Sequence, residues 1–202
     1  MKKLLTIVFA LLLLIGTACS GNQQNRDATT EKAYEQHNHN ADASAGEKED
    51  KKPLSPRTNA MADIGSAHIH IDYSSPGVRG RTIWGGLVAY DQVWVTGAHK
   101  ATSITFSKDV KIKGQLVSAG TYGFFTIPGQ EKWVLILNKN HAQHLADDYD
   151  EALDVLRMSA TPEQLTEPAE SLTYEVQPTG GNKGVISVMW EQIKVSFEVE
   201  IP

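Results

Sequence analysis

Apolar residues recur at every second position through most of this chain, and that period limits the folds open to it. His68-Ile69-His70-Ile71-Asp72-Tyr73 alternates cleanly, with Ile69, Ile71 and Tyr73 on one face. Thr102 to Phe106 alternates again, and Val110 and Ile112 continue the pattern to a turn at Lys113-Gly114. Thr121 to Ile127 follows Ala119-Gly120 and closes at Pro128-Gly129. Val93-Trp94-Val95-Thr96 is short and rich in β-branched residues, and Leu172 to Val176, Val185 to Trp190 and Val195 to Val199 extend the series. Trp133-Val134-Leu135-Ile136-Leu137 is apolar throughout, as expected of a strand buried on both faces. Roughly nine short strands, punctuated by Gly, Pro, Asn and Asp, predict an all-β domain. The expected architecture is a single β-sandwich or a flattened barrel.

One short helix is expected within this pattern. Asp147 to Leu156 begins with acidic residues, which suits a helix N-terminus, and Leu153, Val155 and Leu156 form its buried side. Pro162-Glu163-Gln164-Leu165 reads as a single helical turn, because Pro suits a first helical position.

The N-terminus sets the compartment. Lys2 and Lys3 precede an apolar run from Leu4 to Ile15, and Gly16-Thr17-Ala18 supply small residues before Cys19. This is the layout of a secretory signal over residues 1–18. The run is too short for a transmembrane helix, which needs about 20 apolar residues. A cysteine at the new N-terminus is where bacterial lipoproteins carry acyl chains, and two or three such chains hold a protein stably on a bilayer. Gly16 stands where the usual lipobox has Leu, and the nearest bulky aliphatic residue is Ile15. The alternative is a plain secretory signal that leaves Cys19 as a free thiol. Cys19 is the only cysteine, so no internal disulfide supports the fold, which must stand on its hydrophobic core.

Removal of Lys2 and Lys3 with the signal leaves 17 of the 19 basic residues against 24 acidic ones, a formal charge of −7. Nucleic-acid affinity comes from Lys and Arg on phosphates, so no nucleic-acid partner is expected. From Ser20 to Lys52 there is no Val, Ile, Leu, Met, Phe or Trp. Such a segment buries too little apolar surface to offset its ordering entropy, so residues 19–52 are expected to be a disordered tether carrying the lipid. A flexible chain of that length spans about 30 Å. His37 and His39 lie in it and read as solvated linker residues. Residues 53–202 hold all four tryptophans and are long enough to bury a proper core.

One block is densest in special residues. It runs Tyr73-Ser74-Ser75-Pro76-Gly77-Val78-Arg79-Gly80-Arg81-Thr82-Ile83-Trp84-Gly85-Gly86-Leu87-Val88-Ala89-Tyr90, then Val93-Trp94-Val95-Thr96-Gly97-Ala98. With Ala119-Gly120-Thr121-Tyr122-Gly123 it resembles a family of exported Bacteroidota proteins catalogued as domain of unknown function 2911. The resemblance covers the domain from Leu54-Ser55-Pro56-Arg57 to the last strand. It implies a domain type and no activity. Where the family tends to read W-R-T-G-A-N-E-A-T, this chain has Val95, His99 and Lys100 in place of the Arg, Asn and Glu. Any chemistry that relatives build on those three residues is lost or altered here.

Two groups are candidate sites. Arg79 and Arg81, one residue apart, point to one side of an extended segment, and guanidinium forks bind carboxylates or phosphates. With Trp84, Tyr90, Trp94 and Thr96 they can line a cleft for an acidic glycan, a peptide carboxylate or a cell-wall fragment. The alternative is that the arginines cap loop carbonyls and the aromatics fill the core. His68 and His70 share a strand face with Asp72, about 6.6 Å apart at the strand rise. Imidazoles at that spacing suit a transition metal, with His99 as a third ligand. Otherwise no cofactor is expected. The acidic run Asp147, Asp148, Asp150, Glu151 and Asp154 lacks the Gly of a calcium loop and reads as a solvated helix start, with His141 and His144 on the surface. No nucleophile elbow, zinc-protease motif or phosphate loop is present. The sequence therefore predicts a lipid-tethered envelope module that binds a glycan, a peptide or a partner protein. An envelope hydrolase, with or without a metal, and a structural or assembly lipoprotein are the alternatives.

Overall fold

The computed structural model describes residues 53–202. The expected signal peptide, Cys19, and the expected tether with His37 and His39 lie outside the described residues. Ten strands follow in chain order: β1 (Arg57–Ile64), β2 (Ala67–Ser74), β3 (Ser103–Phe106), β4 (Val110–Ile112), β5 (Gln115–Val117), β6 (Gly120–Ile127), β7 (Trp133–Asn138), β8 (Asp154–Ala160), β9 (Glu163–Gly180) and β10 (Lys183–Glu200). They form a six-stranded sheet in the order β1-β2-β3-β6-β7-β8 and a four-stranded sheet in the order β5-β4-β10-β9. Every pairing is antiparallel.

The alternating pattern builds the core directly. Ile69, Ile71, Ile104, Phe106, Phe124, Leu135 and Leu137 from the larger sheet meet Ile112, Leu172, Ile186, Phe197 and Val199 from the smaller one. The fold is thus a β-sandwich with one apolar layer between two sheets. The edges are covered too. β1 lies against β9 and β5 against β8, and Gln115 Nε2 donates to the Val155 carbonyl at 2.9 Å. Strand edges masked in this way do not template aggregation.

The expected strand at Trp133–Leu137 is buried on both faces. Trp133, Leu135 and Leu137 enter the main core, while Ile136 joins Phe125, Val95 and Ala101 in a second cluster on the outer side of the larger sheet. Val93, Val95 and Ala101 from the irregular segment before β3, with Ala146 and Tyr149 from the segment before β8, cover that outer side.

Several expectations are corrected. The helix expected over Asp147–Leu156 is only a 3-10 turn at Glu151–Leu153, after which β8 begins at Asp154. Asp150 does cap that turn, its Oδ1 accepting from Ala152 N at 2.9 Å. The following residues pair instead with β7, Leu137 opposite Leu156 and Leu135 opposite Met158, and this burial outweighs the local helix signal. Pro162–Leu165 is not a helical turn, because β9 starts at Glu163 opposite Lys194. Val93–Thr96 is no strand but a single bridge, Trp94 to Thr126. Val185–Trp190 and Val195–Val199 are one strand of 18 residues. A bulge around Glu191, whose φ is 55°, switches the buried positions from Ile186, Val188 and Trp190 to Val195, Phe197 and Val199. Finally, β1 had no apolar alternation to reveal it, since it uses Ala60 and Ala62 beside the exposed Met61.

Tyr174 ties the sheets to the outer loop. Its hydroxyl donates to the Thr96 carbonyl at 2.8 Å, and its ring lies 4.7 Å from that of Tyr73. Burial pushes the Tyr174 phenol well above its ordinary 10.0. Burial and the bond to Asp154 raise Tyr149, and burial and the Asp109 charge raise Tyr122. Above pH 10 the unfolded chain releases these protons while the folded state retains them, so stability is complete below pH 10 and falls as pH rises beyond it. Thermal melts should therefore fall progressively as pH rises above about 10, and Tyr174→Phe should shrink the fall.

Candidate functional site

The loop from Pro76 to Thr102 crosses the end of the sandwich and returns beside β6. Trp94 enters next to Thr126, its N–H donating to the Thr126 carbonyl at 2.8 Å and its carbonyl accepting at 2.9 Å. The chain then makes an excursion and rejoins β6 where the Thr102 carbonyl accepts from Phe124 N at 2.8 Å. The Trp-x-Thr-Gly-Ala motif is this excursion. Thr96 is fully buried in the left-handed region with φ 49°, and its Oγ1 lies 3.1 Å from Thr126 Oγ1. A Cβ at Gly97 would meet Thr102 Oγ1 at 2.8 Å, so only glycine fits there.

The Trp-Gly-Gly-Leu motif forms the neighbouring turn. Val88 N donates to the Ile83 carbonyl at 2.9 Å and Leu87 N to the Thr82 carbonyl at 3.0 Å. A Cβ at Gly86 would come within 2.5 Å of the Thr82 carbonyl oxygen. This turn sends Trp84 inward and leaves Leu87 half exposed.

All four tryptophans meet under these two turns. Trp94 stacks on Trp190 at 5.8 Å and 18°, and Trp84 sits edge-on to Trp94, Trp133 and Trp190 at 4.9–6.0 Å. Such pairs contribute roughly 0.5–1.5 kcal/mol each beyond area burial. The Trp94 indole N–H donates to the Gly97 carbonyl at 3.2 Å. The indole nitrogens of Trp84 and Trp190 are buried without a partner.

Above Trp94 and Trp190 lies a cleft of about 480 Å³. Arg79, Arg81 and Leu87 come from one side of it in sequence, and Ala98, His99 and Leu145 from the other. Leu145 is brought there by its N–H, which donates to the His99 carbonyl at 2.7 Å. Leu54 and Ser55 complete the rim. Of the seven non-glycine residues with positive φ among the described residues, three line this cleft: Arg79 (50°), His99 (61°) and Leu145 (49°). Each costs about 1–2 kcal/mol. Backbone strain gathered at one concave surface is a pattern of binding sites.

The sequence candidates separate into three groups. Arg79, Arg81 and Trp94 share the cleft. Arg81 is held in place, its Nε donating to the Val78 carbonyl at 3.1 Å and one Nη to the Gly77 carbonyl. Among the described residues the Arg79 guanidinium has no hydrogen bond or ion pair; only its backbone N–H is engaged, by Glu170 Oε1 at 2.9 Å. Trp84 and Tyr90 line a separate crevice of about 30 Å³ with Trp133 and Ile193. Thr96 lies beneath the site and holds the loop. The histidines do not come together. His68 and His70 lie 6.5 Å apart, ring to ring, on the outer face of β2, and His68 Nδ1 pairs with Asp63 at 2.7 Å. His99 is in the cleft. Among the described residues no three His, Cys, Asp or Glu side chains are arranged to hold a metal.

Trp190, Leu87 and Leu145 belong to the cleft, although the sequence marks them only as strand, motif and loop residues. The left-handed turn that presents Leu145 has no signal in residue type. Because Arg81 and Trp84 are tied into the structure, Arg81→Ala should lower stability by about 2 kcal/mol through lost charge-assisted hydrogen bonds. Trp84→Ala should cost about 3 kcal/mol through the hole left among the tryptophans. Arg79→Gln should leave the urea midpoint unchanged. Urea titration of the three variants checks this ordering.

Comparison with curated proteins and with solved structures finds no match. A family model does match, and its span includes the rim residue Ser55, both glycine-rich turns and the Trp190 strand. The match covers residues 55–199, and the chain accordingly belongs to the family described as protein of unknown function (DUF2911).

Proposed function

We propose that the protein is an exported lipoprotein, held on a membrane by acyl chains on Cys19, and that its sandwich binds an anionic ligand in the cleft over Trp94 and Trp190. The observation that carries the binding reading is Arg79. Its guanidinium has no partner among the described residues, yet it sits on a strained backbone at the wall of a preformed cleft. Unpaired charge beside apolar and aromatic walls is the usual chemistry of a small-ligand site. The volume of about 480 Å³ falls within the range of such sites, about 300–1,000 Å³. The anchor reading rests on the Lys2–Cys19 segment, and Leu54 and Ser55, where the chain arrives from the tether, lie on the rim of the cleft. The hydrolase alternative is less well supported, because among the described residues no carboxylate lines the cleft to orient His99 as a base.

Two measurements test the two halves. Cys19→Ser should move the protein from the membrane fraction to the soluble fraction of cells; retention at the membrane would remove the lipoprotein reading. For the cleft, the mature chain from Ser20 should be melted against acidic glycans, peptidoglycan fragments, peptides and small acids. A ligand at 100 times its Kd stabilises by about 2.7 kcal/mol. That corresponds to roughly 5–20 °C at about 2–8 °C per kcal/mol. A shift that Arg79→Gln abolishes supports the site. No shift with any compound, or shifts indifferent to Arg79→Gln, would dismiss it.

A further inference from the structure

The polar inventory of the cleft says what kind of ligand it takes, given that it is a binding site at all. Among the described residues the lining supplies four polar side chains, Arg79, Arg81, His99 and Ser55, and contains no Asp, Glu, Asn or Gln. Arginine only donates hydrogen bonds. Several loop carbonyls are engaged already: those of Gly97 by the Trp94 indole and His99 by Leu145 N in the lining, and those of Gly77 and Val78 beside it by Arg81. A ligand rich in hydroxyl groups would bring donors with few acceptors to meet them, and buried donors without partners are strongly disfavoured.

The remaining surface is apolar. Trp94 and Trp190 form one part, and Val88, Pro76 and Ala98 others. Three of the large exposed aliphatic side chains, Leu54, Leu87 and Leu145, stand at this one place, at 69%, 50% and 41% exposure. The cationic groups are confined to one part of the chain, with Arg81 fixed by its carbonyls and the Arg79 guanidinium unpaired among the described residues. A single anionic head therefore has a fork to engage, and an aliphatic or aromatic body has the tryptophans and leucines.

We propose that the cleft selects an amphiphilic acid, one anionic group carried on an apolar body, over polyhydroxylated acids such as uronates. This deepens the binding reading given above and depends on it.

The test uses the mature chain from Ser20 and follows the fluorescence of the cleft tryptophans during titration with octanoate below its micellar concentration. Octyl phosphate, octanol and glucuronate are the comparison probes. Octanoate or octyl phosphate should bind at least 10-fold more tightly than octanol and glucuronate, and the better of the two identifies the head group. Arg79→Gln should weaken that binding at least 10-fold, and Leu87→Ser, a rim change outside the core, about 3-fold or more. Glucuronate binding as well as octanoate would overturn the apolar selection. Octanol binding as well as octanoate would overturn the anionic one. Octanoate binding that neither variant disturbs would place it elsewhere on the protein and overturn the inference. If no amphiphile binds while a compound of the wider panel does so in an Arg79-dependent way, this inference fails and the binding reading stands. If nothing binds at all, both fail.

Discussion

The meeting of four indoles at the end of the sandwich is the contact on which the rest of this structure depends. Trp133 and Trp190 come from strands of opposite sheets, and Trp84 and Trp94 from the long loop. The cluster therefore does two things at once. It closes the end of the core, and it fixes a strandless loop to that core so firmly that the loop can serve as a wall. Flexible loops bind weakly because they lose entropy on ordering; a wall already seated has that cost removed.

A second set of contacts works below it. Thr96 occupies a left-handed backbone that β-branched residues avoid, and it is held there by polar partners on three sides. Its carbonyl accepts from Tyr174 and Thr102, and its hydroxyl lies against Thr126 and the Trp94 carbonyl. The strain is thus sustained by the packed sheets, and its consequence is the direction in which Ala98 and His99 leave the sandwich. Sequence, local conformation and the shape of the cleft are linked through this one residue.

The class of fold was legible because the two-residue period of Ile69-Ile71-Tyr73 or Ile104-Phe106 follows directly from which face each residue buries. Boundaries were less so. β8 hid behind the acidic residues Asp147 to Asp154, whose charge favours a helix start but whose following Leu156 and Met158 gain more by pairing with β7. β1 hid because an edge strand filled with alanine has no apolar rhythm. At the site, Arg79, Arg81 and Trp94 could be grouped from their nearness along the chain. Tyr90 could not be separated from them, since only the fold shows that it lines a separate crevice with Trp84. Leu145 and Trp190 come from distant segments, and no local signal links them to the arginines.

The central claim is that the loop from Pro76 to Thr102, though it contains no regular strand, is a rigid part of the domain. Amide hydrogen exchange on the chain from Ser20 to Pro202 tests it most directly. Val78, Trp94, Ala101 and Leu145 each donate a backbone hydrogen bond that holds this wall together. The account predicts that these amides exchange almost as slowly as those of Phe125 and Ile136 in the strands beneath, opening only with the domain. Exchange as fast as that of the exposed turn at Lys113 and Gly114 would show a loose loop, and would contradict the claim that a preformed cleft exists.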